Sequence, residues 1–183
     1  MNYFLVPAEA KDVDGAFSLY VKRVRWMEDR GIRHWNVNGY LDIHNISYFK
    51  AQQKLGNLYV LKRDKNNKVV GAAVLLDVDP RWPDGDDMAA FYVHNFVAAP
   101  DERGAGRILL QKVEDMGAAD SRAFVRLDCT ARNETLNRYY DELGFLVAGC
   151  TNSGFYMGYL REKRIHVPRP KTFITETVFT IPS

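Results

Sequence analysis

The sequence predicts an α/β layer fold with a mixed sheet, in the order β-α-α-β-β-β-α-β-α-β-β. Three observations carry this. The apolar period changes from helical to alternating and back along the chain. Three β-rich runs follow one another from Leu58, the first two joined by a tight turn. A strand–helix–strand unit then spans 89–129, and parallel strands require a long crossover of that kind.

Tyr3 to Pro7 reads as a short strand. Val13, Phe17, Val21, Val24 and Met27 recur at helical spacing and stop at Gly31, where a glycine ends a helix without strain. A second helix is expected over Tyr40 to Leu55, closed by Gly56. Leu58 to Lys62 and Val69 to Val78 are strands linked through Lys65-Asn66-Asn67-Lys68, a good hairpin turn. A loop rich in Pro, Asp and Gly (Asp79 to Asp87) leads to a third strand, Ala89 to Ala98. Leu109, Val113 and Met116 form the apolar stripe of the next helix, with Gln111, Lys112, Glu114 and Asp115 facing water. Phe124 to Cys129 is a strand. Leu136, Tyr139, Tyr140 and Leu143 mark a helix with Gly144 past its end. Two strands, Leu146 to Cys150 and Phe155 to Leu160, close the pattern around the turn Asn152-Ser153-Gly154.

At 183 residues the chain is expected to form a single domain that needs neither disulfides nor a structural metal. Its 25 basic and 23 acidic residues leave a formal charge of +2. That near-balance argues against a dedicated nucleic-acid binder. No apolar run approaches the roughly 20 residues of a membrane span, and the opening MNYFLVPAEA lacks the basic and apolar regions of a signal peptide. Cys129 and Cys150 form no metal-type or redox-type pair and fit a reducing compartment. The expectation is a cytoplasmic protein with no membrane partner and no metal.

The segment from Ala98 to Leu109 carries most of the chemistry. A strand runs into Asp101-Glu102-Arg103-Gly104-Ala105-Gly106-Arg107, and the turn opens a helix. Glycines allow close backbone approach, and the first amides of a helix point outward with the positive end of its dipole. A pyrophosphate fits such a site, with Arg103 and Arg107 adding charge. A tight turn alone explains the glycines equally well. A P-loop is excluded because no Gly-Lys-Ser/Thr follows. A dinucleotide fingerprint is closer, since Asp128 ends the next strand at about the expected ~20-residue spacing, but its third glycine position is Leu109 and the preceding strands form an antiparallel meander.

Asp101 to Gly106 resembles the Q/R-x-x-G-x-G/A signature of the GNAT superfamily of acyl-CoA-dependent N-acyltransferases. The strand Val125 to Cys129, then Asn133, then Tyr140-Asp141-Glu142-Leu143-Gly144-Phe145 resembles the second block of that family, N-x6-Y-E-x-L-G-F. Trp26 to Trp35 (WMEDRGIRHW) also looks like the substrate-side region of one bacterial subgroup. The resemblance implies a GNAT-like three-layer fold with a mixed, mostly antiparallel central sheet. It covers residues 1–162 as the N-acetyltransferase domain and leaves 163–183 as a C-terminal extension. One departure stands out: position 101 is Asp where the family has Gln or Arg, so the phosphate contact would fall to backbone amides, with Arg103 and Arg107 compensating.

The implied reaction moves an acetyl group from acetyl-CoA to a primary amine of a small molecule or peptide by direct attack. The amine, of pKa about 10.4, must first lose a proton, and the thiolate, of pKa near 8.5, leaves better when protonated. The family position makes Tyr140 the general acid, although its apolar stripe also suits a core tyrosine. His94, in Tyr92-Val93-His94-Asn95-Phe96, takes the family position of the base, and an imidazole of pKa about 6.5 suits that work. The resemblance likewise assigns Phe96, Val97, Ala98, Arg103, Gly104, Ala105, Gly106, Arg107, Asn133 and Tyr140 to the coenzyme, Asn133 also reading as an N-cap. Trp26, Trp35, Tyr40 and Asn95 are the acceptor-side candidates. Asp128 reads as bonding to nearby backbone or an arginine. Two alternatives stay open: a non-catalytic acyl-CoA-binding regulatory module, and a dinucleotide-dependent enzyme. Beyond Arg161 the chain is basic, then alternates from Thr172 to Phe179, as a strand that adds to a sheet edge of its own domain or of a second subunit in a homodimer.

Overall fold

The computed structural model describes residues 2–37, 39–82, 89–153 and 156–165. The strands are β1 (Tyr3–Pro7), β2 (Leu58–Arg63), β3 (Lys68–Leu76), β4 (Ala90–Ala98), β5 (Phe124–Thr130), β6 (Leu146–Ser153) and β7 (Tyr156–Arg164). They form one sheet in the order β1-β2-β3-β4-β5-β7-β6. Every neighbouring pair is antiparallel except β4–β5. That exception follows from the crossover helix α4 (Ala105–Ala119), which lies between the two strands in sequence. The expected C-terminal extension begins inside β7, and residues 166–183, His166 and the alternating segment among them, lie outside the described residues. So do Gly154 and Phe155 of the expected last turn.

Helix α1 (Val13–Glu28) buries Val13, Ala16, Leu19, Tyr20 and Val24. Its inward face is therefore turned toward Tyr20 rather than Val21. The cause is the partner: Tyr20 stacks on Phe49 of α3 (Ile46–Lys54) with ring centroids 4.3 Å apart. The single helix expected over 40–55 is two, α2 (Tyr40–Ile43) and α3. Asn45 breaks it by accepting hydrogen bonds from the amides of Ser47 and Tyr48 at 3.0 and 3.2 Å, and asparagine is among the best N-cap residues.

The parallel pair leaves an opening in the sheet. β4 and β5 are in register only from Ala90–Phe124 to Val93–Leu127. Beyond that point they part, although β4 stays paired with β3 as far as Ala98. The register of β3 against β4 shifts between Ala72 and Val74, opposite Asn95, whose φ is +49°. This bulge bends β4 away from β5. Asparagine tolerates the left-handed region better than most residues, and three tyrosines hold it there. Tyr20 Oη donates to the Asn95 carbonyl (2.6 Å), Asn95 Nδ2 donates to Tyr40 Oη (2.8 Å), and Tyr48 Oη donates to Asn95 Oδ1 (2.8 Å).

On the other side of the gap, α5 (Glu134–Glu142) is tied down by a buried polar knot. Asn137 Nδ2 donates to the carbonyls of Thr130 (3.0 Å) and Asn133 (2.8 Å), while its Oδ1 accepts from Arg161 Nη2 (2.9 Å) and Cys129 Sγ (3.3 Å). Arg161 also donates to Asp141 Oδ1 at 2.7 Å. The knot joins helix α5 to β5 and β7.

Tyr20→Phe removes only the hydroxyl and leaves the bulge carbonyl of Asn95 without its donor. It is expected to lower stability by about 1–3 kcal/mol, read as a shifted urea midpoint at unchanged slope. Identical midpoints for the two proteins would count against the clamp.

Candidate active site

The glycine turn follows β4 directly. The Glu102 amide donates to the Ala99 carbonyl (3.1 Å) and the Ala105 amide to the Glu102 carbonyl (3.2 Å). Gly104 then takes φ +84° at the N-cap of α4, a conformation strained for any side chain. The amides of Arg103, Gly104, Gly106 and Arg107 have no hydrogen-bond partner among the described residues. Both acids of the turn are paired: Glu102 with Tyr3 Oη (2.7 Å) and with Arg63, Asp101 at 3.9 Å from Lys68 Nζ. The side chains of Arg103 and Arg107 are exposed. A Cβ on Gly106 would stand 3.0 Å from Tyr139 Oη and 3.3 Å from Phe96 Cζ, so glycine lets α5 and β4 close on the helix start. Val97 is buried, and the Ala98 carbonyl accepts from Arg23 Nη2 at 2.6 Å. One edge of residues 94–98 is paired with β3; the other faces the gap and has no strand partner among the described residues.

At the point where the strands part, the next residues on each are His94 and Asp128. Arg81, from the loop after β3, joins them. Its Nη1 lies 2.8 Å from Asp128 Oδ1 and its Nη2 2.7 Å from Asp79 Oδ2. His94 Nε2 lies 3.1 Å from the same Asp79 oxygen. Arg81 Nη2 is also 3.2 and 3.4 Å from the two ring nitrogens of His94. A donor nearly equidistant from both cannot lie along either lone pair, so its effect on the ring is electrostatic. Burial, and then the charge of Arg81, lower the His94 pKa, and Asp79 and Asp128 only partly offset them. The imidazole is therefore neutral at pH 7 and able to accept a proton. Burial opposes the charge of Asp79, but the hydrogen bonds and charge of Arg81 outweigh it and hold that carboxyl below its usual range. Asp128 also accepts from Tyr156 Oη at 2.5 Å. The Tyr156 ring folds back over Gly158, where a Cβ would meet it at 2.8 Å.

Across the gap, Tyr140 is buried, edge-on to Tyr139 (5.4 Å) and Phe145 (5.8 Å). Its hydroxyl makes no hydrogen bond to another described residue. Burial first, then Cys129, Tyr139 and Asp128 nearby, raise its pKa far above the ordinary phenol value, so it keeps its proton. Asn133 caps α5 by accepting from the Leu136 amide at 2.9 Å. On the helical side of the mouth, half-buried Trp35 stacks on Tyr40 with centroids 4.3 Å apart, and His34 stacks on Trp35 at 5.7 Å. Trp26 is apart from them on α1, with the guanidinium groups of Arg23 and Arg30 at 4.8 and 4.5 Å from its ring. Asn95 and Tyr40 spend their polar groups on the bulge clamp. Among the described residues no group of three His, Cys, Asp or Glu is arranged to hold a metal ion, and no helix among them is long and apolar enough to cross a membrane.

Comparison with known proteins identifies the family. Residues 23–145 match the acetyltransferase (GNAT) family. The chain belongs to that family and is an acetyl-CoA-dependent acyltransferase. The uncharacterized N-acetyltransferase YesJ of Bacillus subtilis (strain 168) is 27% identical over 165 residues, which is 85% of this chain and 88% of that protein. A GNAT-family acetyltransferase from Listeria monocytogenes 4b F2365 superposes with a TM-score of 0.72 at 22% identity, over 88% of this chain and 94% of the other. The structure of yncA from Salmonella typhimurium with its cofactor acetyl-CoA gives a TM-score of 0.58 at 18% identity, over 91% and 95% of the two chains. These two likenesses establish the fold.

Sequence reasoning missed Asp79, Arg81 and Tyr156. The first two sat in a loop read only as turn chemistry, and Tyr156 in a run read only as strand. The one local signal was Asp79 two residues before Arg81, an Asx-turn spacing: the Arg81 amide donates to Asp79 Oδ1 at 3.0 Å. Cys129 is buried and its thiol pKa is raised to about 11, chiefly by burial, whereas Cys150 is exposed. Titration of the native protein with a thiol reagent at pH 8 is expected to show one reactive thiol per chain, and two after denaturation. Two fast thiols in the native protein would contradict the burial of Cys129.

Proposed function

We propose that this acyltransferase moves the acetyl group of acetyl-CoA to a primary amine, of a small molecule or a peptide, by direct attack without an acyl-enzyme. His94 acts as general base and Tyr140 as general acid. The observation that carries the reading is that His94 is the first residue of β4 past its pairing with β5, while Tyr140 lies buried on α5, the helix that follows β5, with no hydrogen-bond partner for its hydroxyl among the described residues. Burial lowers the imidazole pKa and raises that of the phenol.

The residues present fit the coenzyme. The unpaired amides of Arg103, Gly104, Gly106 and Arg107 suit a pyrophosphate at the start of α4, and Ala105 belongs to the same turn. Arg103 and Arg107 add charge, while Lys68 and Arg63 offset the acids that flank them. The open edge of Phe96, Val97 and Ala98 offers backbone groups to an amide-bearing arm, as an added strand would use them. Asn133 lies at the α5 end of that path. When bound, acetyl-CoA supplies the activated acyl group.

His94 takes the proton that an alkylammonium of pKa about 10.4 must lose before its nitrogen attacks. As the new C–N bond forms and the C–S bond breaks, Tyr140 gives its hydroxyl hydrogen to the sulfur, and the second proton leaving the nitrogen returns the phenol to its neutral form through solvent. Its raised pKa keeps the phenol protonated until the thiolate forms beside it. For the acceptor, half-buried Trp35 is the wall we retain, with Tyr40 supporting it from behind and Asn95 holding Tyr40. Trp26 is left as an outer rim.

Acetyl-CoA at 100 times its Kd is expected to stabilise the protein by about 2.7 kcal/mol, seen as a raised Tm. No shift with any acyl-CoA would overturn the coenzyme site. Tyr140→Phe should lower kcat by about 10² to 10⁴, and His94→Ala by less, since water partly replaces a base. Because the His94 pKa is lowered, kcat/KM should rise with pH through an inflection below about 6.5 and stay level above it. An inflection above that value would speak against His94.

A further inference from the structure

The imidazole that removes the acceptor's proton must carry its own proton on one particular nitrogen, and the fold contains a device for that. Asp79 has a side chain only 4% exposed. It is fixed from its own loop by the Arg81 amide and Nε, each 3.0 Å from Oδ1, and by Arg81 Nη2 on Oδ2. Arg81 is fixed in turn by Asp128 of β5, and Asp128 by Tyr156 of β7. The loop is held down by Trp82, which packs edge-on to Tyr92 of β4 (6.0 Å) with the Arg126 guanidinium 4.7 Å from its ring. So a chain of contacts runs from Tyr156 of β7 through Asp128 of β5 and Arg81 to Asp79 Oδ2, and that oxygen faces His94 Nε2 at 3.1 Å.

We propose that Asp79 is a positioning residue for His94, with Arg81 as the tie that holds it. Asp79 Oδ2 accepts the hydrogen of Nε2, which places the ring proton there and leaves the Nδ1 lone pair to receive the acceptor's proton. When Nδ1 takes that proton the imidazolium forms beside a carboxylate that compensates it, and Arg81 limits how basic the ring becomes. An acid in this place is useful only with Arg81 present, because an unpaired buried carboxylate would keep the imidazole charged at neutral pH. The inference rests on His94 being the base.

The charged groups facing His94 are Asp79 and Arg81 from the loop and Asp128 from β5. They predict opposite effects. Removing the carboxylate in Asp79→Asn takes away a negative charge that raises the His94 pKa, so the acid limb of kcat/KM should move to lower pH. Removing the cation in Arg81→Gln should move it to higher pH. Asp79→Asn should also lower kcat about tenfold to a hundredfold, the cost of a wrong tautomer where water partly substitutes, at an unchanged KM for acetyl-CoA.

Nitrogen-15 imidazole spectra of the whole protein, with the His94 signals identified by their loss in His94→Gln, read the tautomer without turnover. The wild type should show hydrogen on Nε2, and Asp79→Asn a loss of that preference. A wild-type ring protonated on Nδ1, or a tautomer and acid limb unchanged in both variants, would overturn the proposal. If Asp79→Asn does not fold, Arg81→Gln at its partly exposed position still tests the direction of the pH shift. Full activity in His94→Gln would instead reject His94 as base, whatever the tautomer.

Discussion

The architecture depends on one strained residue. Asn95 holds β4 in a left-handed bulge, and the strand leaves its parallel partner just before it. Past this point one backbone edge of β4 has no strand partner among the described residues. A lone left-handed asparagine is unfavourable by itself. The chain compensates by directing three tyrosine hydroxyls at its carbonyl and carboxamide, from α1, α2 and α3. The helical layer thus does more than cover the sheet: it keeps the sheet open.

Burial, more than local charge, determines the protonation states along this gap. It pushes the Tyr140 phenol and the Cys129 thiol up and the His94 imidazole down. The polar groups that are buried there come in tied sets, Asn137 with Arg161 and Cys129, and Asp79 with Arg81 and Asp128. A lone buried charge would be costly, whereas a set whose members all find partners holds its elements in place.

Much of the fold was legible because it rests on local periodicity. The alternation of β2 and β3, the stripe of α4 and the strand–helix–strand unit all lie within short windows, and so does the Gly104–Gly106 turn. The two helix errors differ in origin. Asn45 is a capping residue that the apolar pattern ran across, and Tyr20 turned α1 because its ring and its hydroxyl both had partners far along the chain. The site was legible only where it coincides with motifs. Tyr140 and His94 were singled out by family spacing, not by their surroundings. Asp79, Arg81 and Tyr156 belong to no motif in this sequence, and what defines them is a meeting of residues 79, 81, 128 and 156.

By itself, the sequence determined the order of the strands, the glycine turn at Gly104 and the family, and it singled out His94 and Tyr140 as the candidates for proton transfer. It could do so because each rests on backbone propensity or on a spacing contained in one or two segments. Only the tertiary structure decided that β4 and β5 separate after Val93 and Leu127, that Asn95 is a clamp point and not a free acceptor contact, and that Asp79 and Arg81 face His94. Those facts arise from hydrogen bonds and desolvation between segments tens of residues apart, and such energies exist only once the sheet has assembled.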